Sequence, residues 1–261
     1  MKVRFHVNAQ KPEAAAQLAA LEARAARAGL GVASATDAAD VLVSLGGDGT
    51  FLRAVHEFPG VPVLGFNLGG LGYLSSVVEP DFDAAFAALA AGRYQVSERT
   101  LLQVGGRVAL NDVVFTREMS GHSALLDLEA DGRLVTHYMA DGLVFATPTG
   151  STAYSLAAGG PVLMPDSGSF VVTPLNPHAL GVRPLVVRDT VSFRVTVRPR
   201  TAGNAPRVGV YADGENVASL APGESAVVAK SASAAKLVAL EGYDPYDVLA
   251  RKLGWSGSNV R

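Results

Sequence analysis

The chain reads as two folds in series, a parallel α/β domain followed by an antiparallel β-sandwich domain. Two features of the pattern predict this. Over the first third, apolar strands alternate with helical stretches, which implies a parallel sheet with helical crossovers. After about Arg93 the helices give way to many short strands separated by turn signals, as in a sandwich. Composition supports a folded chain: 49% of the 261 residues are apolar, which excludes intrinsic disorder.

The first domain is built element by element. Residues 2–7 alternate apolar and polar side chains, the pattern of a strand. Residues 12–28 are rich in Ala, Leu, Glu and Arg. Leu18, Leu21 and Ala25 fall on one helical face, and Gly29 can end the helix. Residues 41–45 are a continuous apolar run, the kind buried in a parallel sheet. Gly46, Gly47, Asp48, Gly49 and Thr50 follow, and then a helical stretch through Phe51, Leu52 and Val55. Residues 61–66 form another apolar strand between Pro59-Gly60 and a glycine-rich loop. Residues 82–91 read as a helix ended by Gly92. The alternation is Rossmann-like.

The second domain reads as strands at 101–107, 109–116, 123–129 and 134–139, with Asp131-Gly132 a hairpin turn between the last two. Strands at 185–187, 191–197, 208–211, 226–229 and 237–240 continue the pattern. A short helix at 151–158 interrupts it, and residues 246–253 are again helical. The expected domains are therefore 1–95, 96–245, and a tail at 246–261 that packs back on the first domain.

Charge narrows the possible partners. Lys and Arg total 22 and Asp and Glu total 24, a formal net charge of -2. Such a balance gives no general attraction for nucleic acid or an anionic membrane. Residues 58–78 and 142–165 carry no Asp, Glu, Lys or Arg. Gly and Pro interrupt both runs, and Ser and Thr crowd the second, so neither reads as a membrane span. The absence of cysteine excludes disulfides, thiolate metal sites and a cysteine nucleophile. The first residues lack the apolar core and cleavage site of a signal peptide, so a cytoplasmic protein is expected.

Three blocks carry chemistry. In the first, a buried strand delivers Gly46, Gly47, Asp48, Gly49 and Thr50 to the carboxyl edge of a sheet, where open α/β sheets bind ligands. Glycines let backbone N–H groups approach a phosphate, and the next helix adds its positive end. Asp48 is unfavourable beside phosphate unless it accepts a proton from an attacking hydroxyl or helps hold a divalent cation. The plain alternative is a turn with Asp48 as helix N-cap. The second block, Asn111-Asp112, pairs an amide with a carboxylate that can read a ribose or a base edge; the alternative is a turn dipeptide. The third runs from Asp141-Gly142 through Thr147, Pro148, Thr149 and Gly150 to Ser151, Thr152, Ala153, Tyr154 and Ser155. It presents hydroxyls and N–H groups suited to a neutral ring, ribose or phosphate, with Tyr154 able to stack on a base. Helix capping by Ser151 or Thr152, with Tyr154 in the core, is the alternative.

Together these blocks resemble the NAD kinases. The Gly-Gly-Asp-Gly-Thr loop alone also resembles that of the diacylglycerol and sphingosine lipid kinases and of phosphofructokinase. The third block, continuing to Ala158-Gly159-Gly160-Pro161, is far more specific. Residues 66–74, Pro177-His178, Arg183-Pro184 and the tail Lys252-Leu253-Gly254-Trp255 extend the likeness in the family's order from about Gly46 to Trp255.

The resemblance implies phosphoryl transfer to the 2′-hydroxyl of the adenosine ribose of NAD, giving NADP. The donor is ATP with a divalent cation, Mg²⁺ or Mn²⁺, or in some members polyphosphate. It implies Asp48 as general base, with Gly46, Gly47, Gly49, Thr50 and Arg53 on the donor phosphates. Asn111 and Asp112 grip the adenine and ribose, and Asp141 holds the nicotinamide amide. Thr152, Ala153, Tyr154, Ser155, Leu156 and Ala157 wall the nucleotide, and His122 touches it. Asn176 lines the pocket of a neighbouring subunit by its backbone, within a homodimer or homotetramer. Two departures stand out. Glu215 occupies the place of a usual glutamine, and Met139 that of a usual basic residue two before Asp141. The His residues, at 6, 56, 122, 137 and 178, show no ligand spacing, so no dedicated metal site is expected. The competing readings are a lipid kinase and a non-catalytic sensor of NAD or NADP.

Overall fold

The computed structural model describes residues 1–7, 12–34, 36–69, 72–75, 77–79, 81–118, 122–199 and 206–255. Gly70 and Leu71 of the 66–74 block lie outside the described residues. The chain divides into two compact units, Met1–Glu98 with Ala235–Arg261, and Arg99–Ala234. The divisions fall three residues after the first expected boundary and eleven before the second.

The first unit begins with β1 (Lys2–Val7), α1 (Pro12–Arg27), β2 (Gly31–Val32) and β3 (Val41–Leu45). It continues with α2 (Asp48–Glu57), β4 (Val63–Asn67), β5 (Val77–Val78), α3 (Phe82–Ala90) and the start of β6 (Tyr94–Val104). The main strands are parallel and ordered β2-β1-β3-β4, with β5 beside the end of β4. The order reverses between β1 and β3, so the loop leaving β3 lies at the switch point where α/β sheets hold ligands. Every residue of β3 is buried. Val41, Val43 and Leu45 share a core with Leu21 and Ala25 of α1 and with Phe82, Phe86 and Leu89 of α3. The intervening Leu42 and Ser44 take the opposite face. Gly29, with φ +87, follows the end of α1 as anticipated.

The second unit takes up the chain within β6 and adds β7 (Arg107–Ala109), β8 (Asp112–Arg117), β9 (Ala124–Ala130), β10 (Arg133–Ala140) and β11 (Gly142–Ala146). A 3₁₀ turn (Gly150–Thr152) and α4 (Tyr154–Ala157) stand where one short helix was expected. Then come β12 (Ser169–Leu175), β13 (Leu185–Arg188), β14 (Phe193–Val197), β15 (Val208–Ala212), β16 (Glu215–Leu220) and β17 (Ser225–Leu240). One antiparallel sheet runs β13-β12-β11-β8-β15-β16, and β10-β9-β14 continues to β17 in the other. Phe115, Phe145 and Phe170 of the first share one buried cluster with Leu126, Phe193 and Val228 of the second. The unit is thus a sandwich. The outer face of the six-stranded sheet is covered too: Val114, Val144 and Val171 pack under Ala158 and Leu163. Burial on both faces explains the charge-free run at 142–165.

The chain returns to the first unit within β17, where Leu237 pairs in parallel with Val63 of β4. The last element is α5 (Pro245–Leu253). Its ends are well specified. The Asp244 carboxylate accepts the Tyr246 N–H, Pro245 opens the helix, and Gly254 closes it at φ +66.

Candidate active site

In the first unit, the N-cap of α2 is Gly47, and Asp48 is the first helical residue. Asp48 is therefore not the cap. Its carboxylate instead accepts three backbone N–H groups: Tyr73 on Oδ2 at 3.0 Å, and Leu74 and Ser75 on Oδ1 at 3.1 and 3.0 Å. The turn that supplies them lies across β4 at Gly65, where a Cβ would meet the Ser75 Cα at 2.5 Å. A glycine inside an otherwise apolar strand thus admits a crossing backbone. Lys252 of α5 lies 5.3 Å from the Tyr73 ring centre, over its face. Thr50 is buried, whereas Gly49 and Arg53 are exposed. Arg53 is five residues beyond Asp48, about 140° round the helix from it. Burial holds the His6 imidazole of β1 below its ordinary value, with the Glu57 charge opposing that shift and the Arg53 charge adding to it.

In the second unit, the Asn111-Asp112 corner opens β8. The Asp213 carboxylate accepts the N–H groups of Leu110, Asn111 and Asp112 at 2.7, 2.8 and 3.1 Å. Asp213 N donates in turn to the Asp112 carbonyl at 3.0 Å. From the other side, Thr147 N donates to the Asn111 carbonyl at 3.0 Å, and Thr147 Oγ1 to that of Leu110 at 2.5 Å. Gly150 packs so tightly here that a Cβ would overlap the Asn111 carbonyl. Asp112 is only 7% exposed, and burial together with the Asp213 charge pushes its carboxyl up to about 7.

Of the remaining expected residues, Asp141, Tyr154, Ala157 and Asn176 meet at a cavity of about 490 Å³ lined also by Arg117, Thr116, Ala158, Pro174 and Leu175. Arg117 Nε donates to Asp141 Oδ1 at 2.6 Å, and Asn176 Nδ2 to Asp141 Oδ2 at 3.0 Å. The Arg117 guanidinium holds the Asp141 carboxyl below the usual carboxylate range. Arg117 escaped the sequence reading because it is set beside Asp141 only by the β8–β11 register, which pairs Thr116 with Gly142. It places a cation on the cavity wall even though Met139 does not. Asn176, in left-handed backbone at φ +44, engages its own chain's Asp141 through its side chain.

Other expectations resolve differently. Tyr154 is 48% exposed on the cavity, not in the core. The hydroxyls of the third block are mostly bonded within the protein. Ser151 Oγ donates to the Pro148 carbonyl at 2.7 Å and accepts the Leu163 N–H at 2.9 Å. Thr152 Oγ1 donates to the Thr149 carbonyl at 3.2 Å, and Ser155 Oγ pairs with Thr173 Oγ1 at 2.8 Å. Buried hydroxyls require such partners. The segment therefore meets the cavity through Tyr154 and Ala157, while Ala153 and Leu156 stand outside its lining. His122 and Glu215 are exposed and outside it as well. Among the described residues no three His, Asp or Glu side chains gather as a metal site, and no helix is long and apolar enough to cross a membrane.

Comparison with known proteins gives a consistent result. Residues 5–94 match the ATP-NAD kinase N-terminal domain, and residues 110–240 the ATP-NAD kinase C-terminal domain. The NAD kinase of Symbiobacterium thermophilum is 40% identical over 225 residues, 82% of this chain and 78% of that protein. That of Chlorobium limicola is 40% identical over 224 residues, 83% of this chain and 77% of its own. The crystal structure of yeast NADH kinase complexed with NADH superposes with a TM-score of 0.87 at 25% identity, covering 99% of this chain and 88% of that one. An NAD kinase from Archaeoglobus fulgidus in complex with ATP gives 0.81 at 23% identity, covering 98% and 100%. With both domain models matched and relatives aligned over most of its length, this chain belongs to the NAD kinase family.

Proposed function

We propose that this chain phosphorylates the 2′-hydroxyl of the adenosine ribose of NAD, with ATP as donor, to give NADP. The observation that carries the reading is Asp48, a carboxylate fixed at a glycine loop on the carboxyl edge of a parallel sheet. Oδ2 accepts a single N–H, from Tyr73, and so keeps a lone pair for the incoming hydroxyl. Asp48 takes the hydroxyl proton as the ribose oxygen attacks the terminal phosphorus, and the bond from that phosphorus to the bridging oxygen breaks to release ADP. A Cβ at Gly47 or Gly49 would meet nothing of the protein within 4 Å, so phosphate can approach both N–H groups closely. Gly46 and Thr50 shape that loop, and Arg53 reaches outward for donor phosphate.

Asn111 and Asp112 hold the adenine and ribose. Asp141 accepts from the nicotinamide amide, with Tyr154 against a ring and Ala157 and Asn176 alongside. Thr152, Ala153, Ser155 and Leu156 keep that wall in place, with His122 and Glu215 at the margin. A divalent cation, Mg²⁺ or Mn²⁺, would arrive on the donor phosphates, keeping waters and those phosphates as its ligands and leaving Asp48 free to act as the base. Its chemistry is to neutralise phosphate charge. Inorganic polyphosphate is a second donor, and the working form is a cytoplasmic homodimer or homotetramer.

The purified protein with NAD, ATP and Mg²⁺, coupled to an NADP-specific dehydrogenase, is expected to form NADP. Retained NAD binding with no NADP would establish a sensor instead. The same assay with polyphosphate defines the donor range, and light scattering defines the assembly.

A further inference from the structure

We propose that Asp213, at the β15–β16 hairpin tip, is the positioning residue of the NAD-binding half of the site, holding Asn111 and Asp112 in their binding geometry. The proposal rests on the kinase reading above. Its ground is geometric. Leu110, Asn111 and Asp112 are consecutive, and all three N–H groups converge on one carboxylate more than a hundred residues away in sequence. Three N–H groups turned to one side cannot belong to a regular strand, whose N–H groups alternate in direction. The Asp213 charge therefore sustains a corner that the local backbone would not keep unaided. The return bond from Asp213 N to the Asp112 carbonyl closes the arrangement. Asp213 itself sits in left-handed backbone, φ +46, followed by Gly214 at +85, the two central positions of a type I′ turn. Asp and Asn both tolerate that conformation. Asp213→Asn thus removes the charge and one acceptor while leaving the turn intact.

A second consequence separates positioning from mere support. Asp213 is the charge that acts with burial on the Asp112 carboxyl. Of the elements packed against Asp112, the hairpin tip carries Asp213 and the exposed Glu215, while β11 and the Thr147–Gly150 turn carry no charge. If Asp112 contacts the ribose, its ionisation shapes the pH dependence of KM for NAD, and Asp213 sets where that dependence falls.

The test measures steady-state kinetics of the full-length protein from pH 5.5 to 8.5, with ATP and Mg²⁺ saturating. Asp213→Asn is expected to raise KM for NAD by about tenfold or more, with kcat changed by less than about threefold, since hydrogen bonds to charged groups are the stronger ones. The wild-type inflection of log KM near pH 7 is expected to move to lower pH in Asp213→Asn and to vanish in Asp112→Asn. Should Asp213→Asn fail to fold by its melting transition, Asp213→Ser, with one acceptor and no charge, is read the same way. An active wild type whose variant keeps both KM within twofold and the inflection in place overturns the assignment of Asp213. A wild type that forms no NADP overturns the kinase reading instead.

Discussion

Asp48 is held by backbone rather than by side chains, and that limits how it can be probed. Oδ1 accepts the Leu74 and Ser75 N–H groups, and Oδ2 accepts that of Tyr73 with one lone pair to spare. Asp48→Asn keeps one acceptor oxygen for that turn and removes the proposed base. Turnover in the coupled assay is expected to fall by about 10² to 10⁴, the usual worth of a general base. NAD affinity, read by direct titration, is expected to stay within about threefold, because uniform binding does not require the proton acceptor. A turnover loss below tenfold would show that Asp48 is not the base. At this scale the sequence was informative about residue identity and silent about partners. Gly46 to Thr50, Asn111, Asp112 and Asp141 all stood out from their motifs. Arg117 did not, and Asp213 stood in the same segment as Glu215 with no role assigned to it, because each meets its carboxylate or its N–H groups only after strands distant in sequence pair. Nor could the sequence tell that Ser151 and Ser155 spend their hydroxyls inside the unit.

The elements show the same division between local and long-range information. Helices with their own start and stop signals, such as α5, were placed within a residue or so. The Asp131-Gly132 turn was also legible, and both residues take positive φ, 49 and 75. Strand β12 was not legible, because Pro174 within Ser169–Leu175 argues against a strand. It is tolerated because β13 pairs only as far as Val172, so the proline lies beyond that ladder. Two expected strands proved to be one sixteen-residue strand, β17, whose Ser231 and Ser233 hid its continuity. The element most closely tied to Asp48 is β4 with its crossing turn. Gly65→Ala would press a methyl onto the Ser75 Cα at 2.5 Å and onto Phe51 of α2. Overpacking of that kind costs about 1–3 kcal/mol. Because the displaced backbone is the one that holds Asp48, kcat is expected to fall with stability. Equal losses in thermal stability with kcat unchanged would uncouple the turn from the base. Lys252→Met, which removes a cation from the Tyr73 face, is expected to cost no more than about 1 kcal/mol in the same melts.

Across the whole molecule the two carboxyls of the second unit pull stability in opposite directions with pH. Asp141 is depressed by Arg117, so its contribution is present above the ordinary carboxylate range and is lost as pH falls through its folded value. Asp112 is raised from 3.8 to about 7. For a raised carboxyl the folded state binds the proton more tightly than the unfolded chain. Its contribution is therefore complete below pH 3.8 and is lost as pH climbs through about 7, above which the folded protein carries a buried anion. Asp112→Asn keeps a neutral, hydrogen-bonding side chain of the same shape and removes that titration. Thermal melts of the wild type and the variant are expected to diverge progressively as pH rises from 5 to about 7. By pH 8 they should separate in the variant's favour, by an amount on the order of a few kcal/mol. A stability difference that stays constant from pH 5 to pH 8 would mean that Asp112 is already ionised in the folded protein at pH 5. That result would also remove the pH-dependent part of the Asp213 assignment, while leaving its three hydrogen bonds to Leu110, Asn111 and Asp112 to be judged on KM alone.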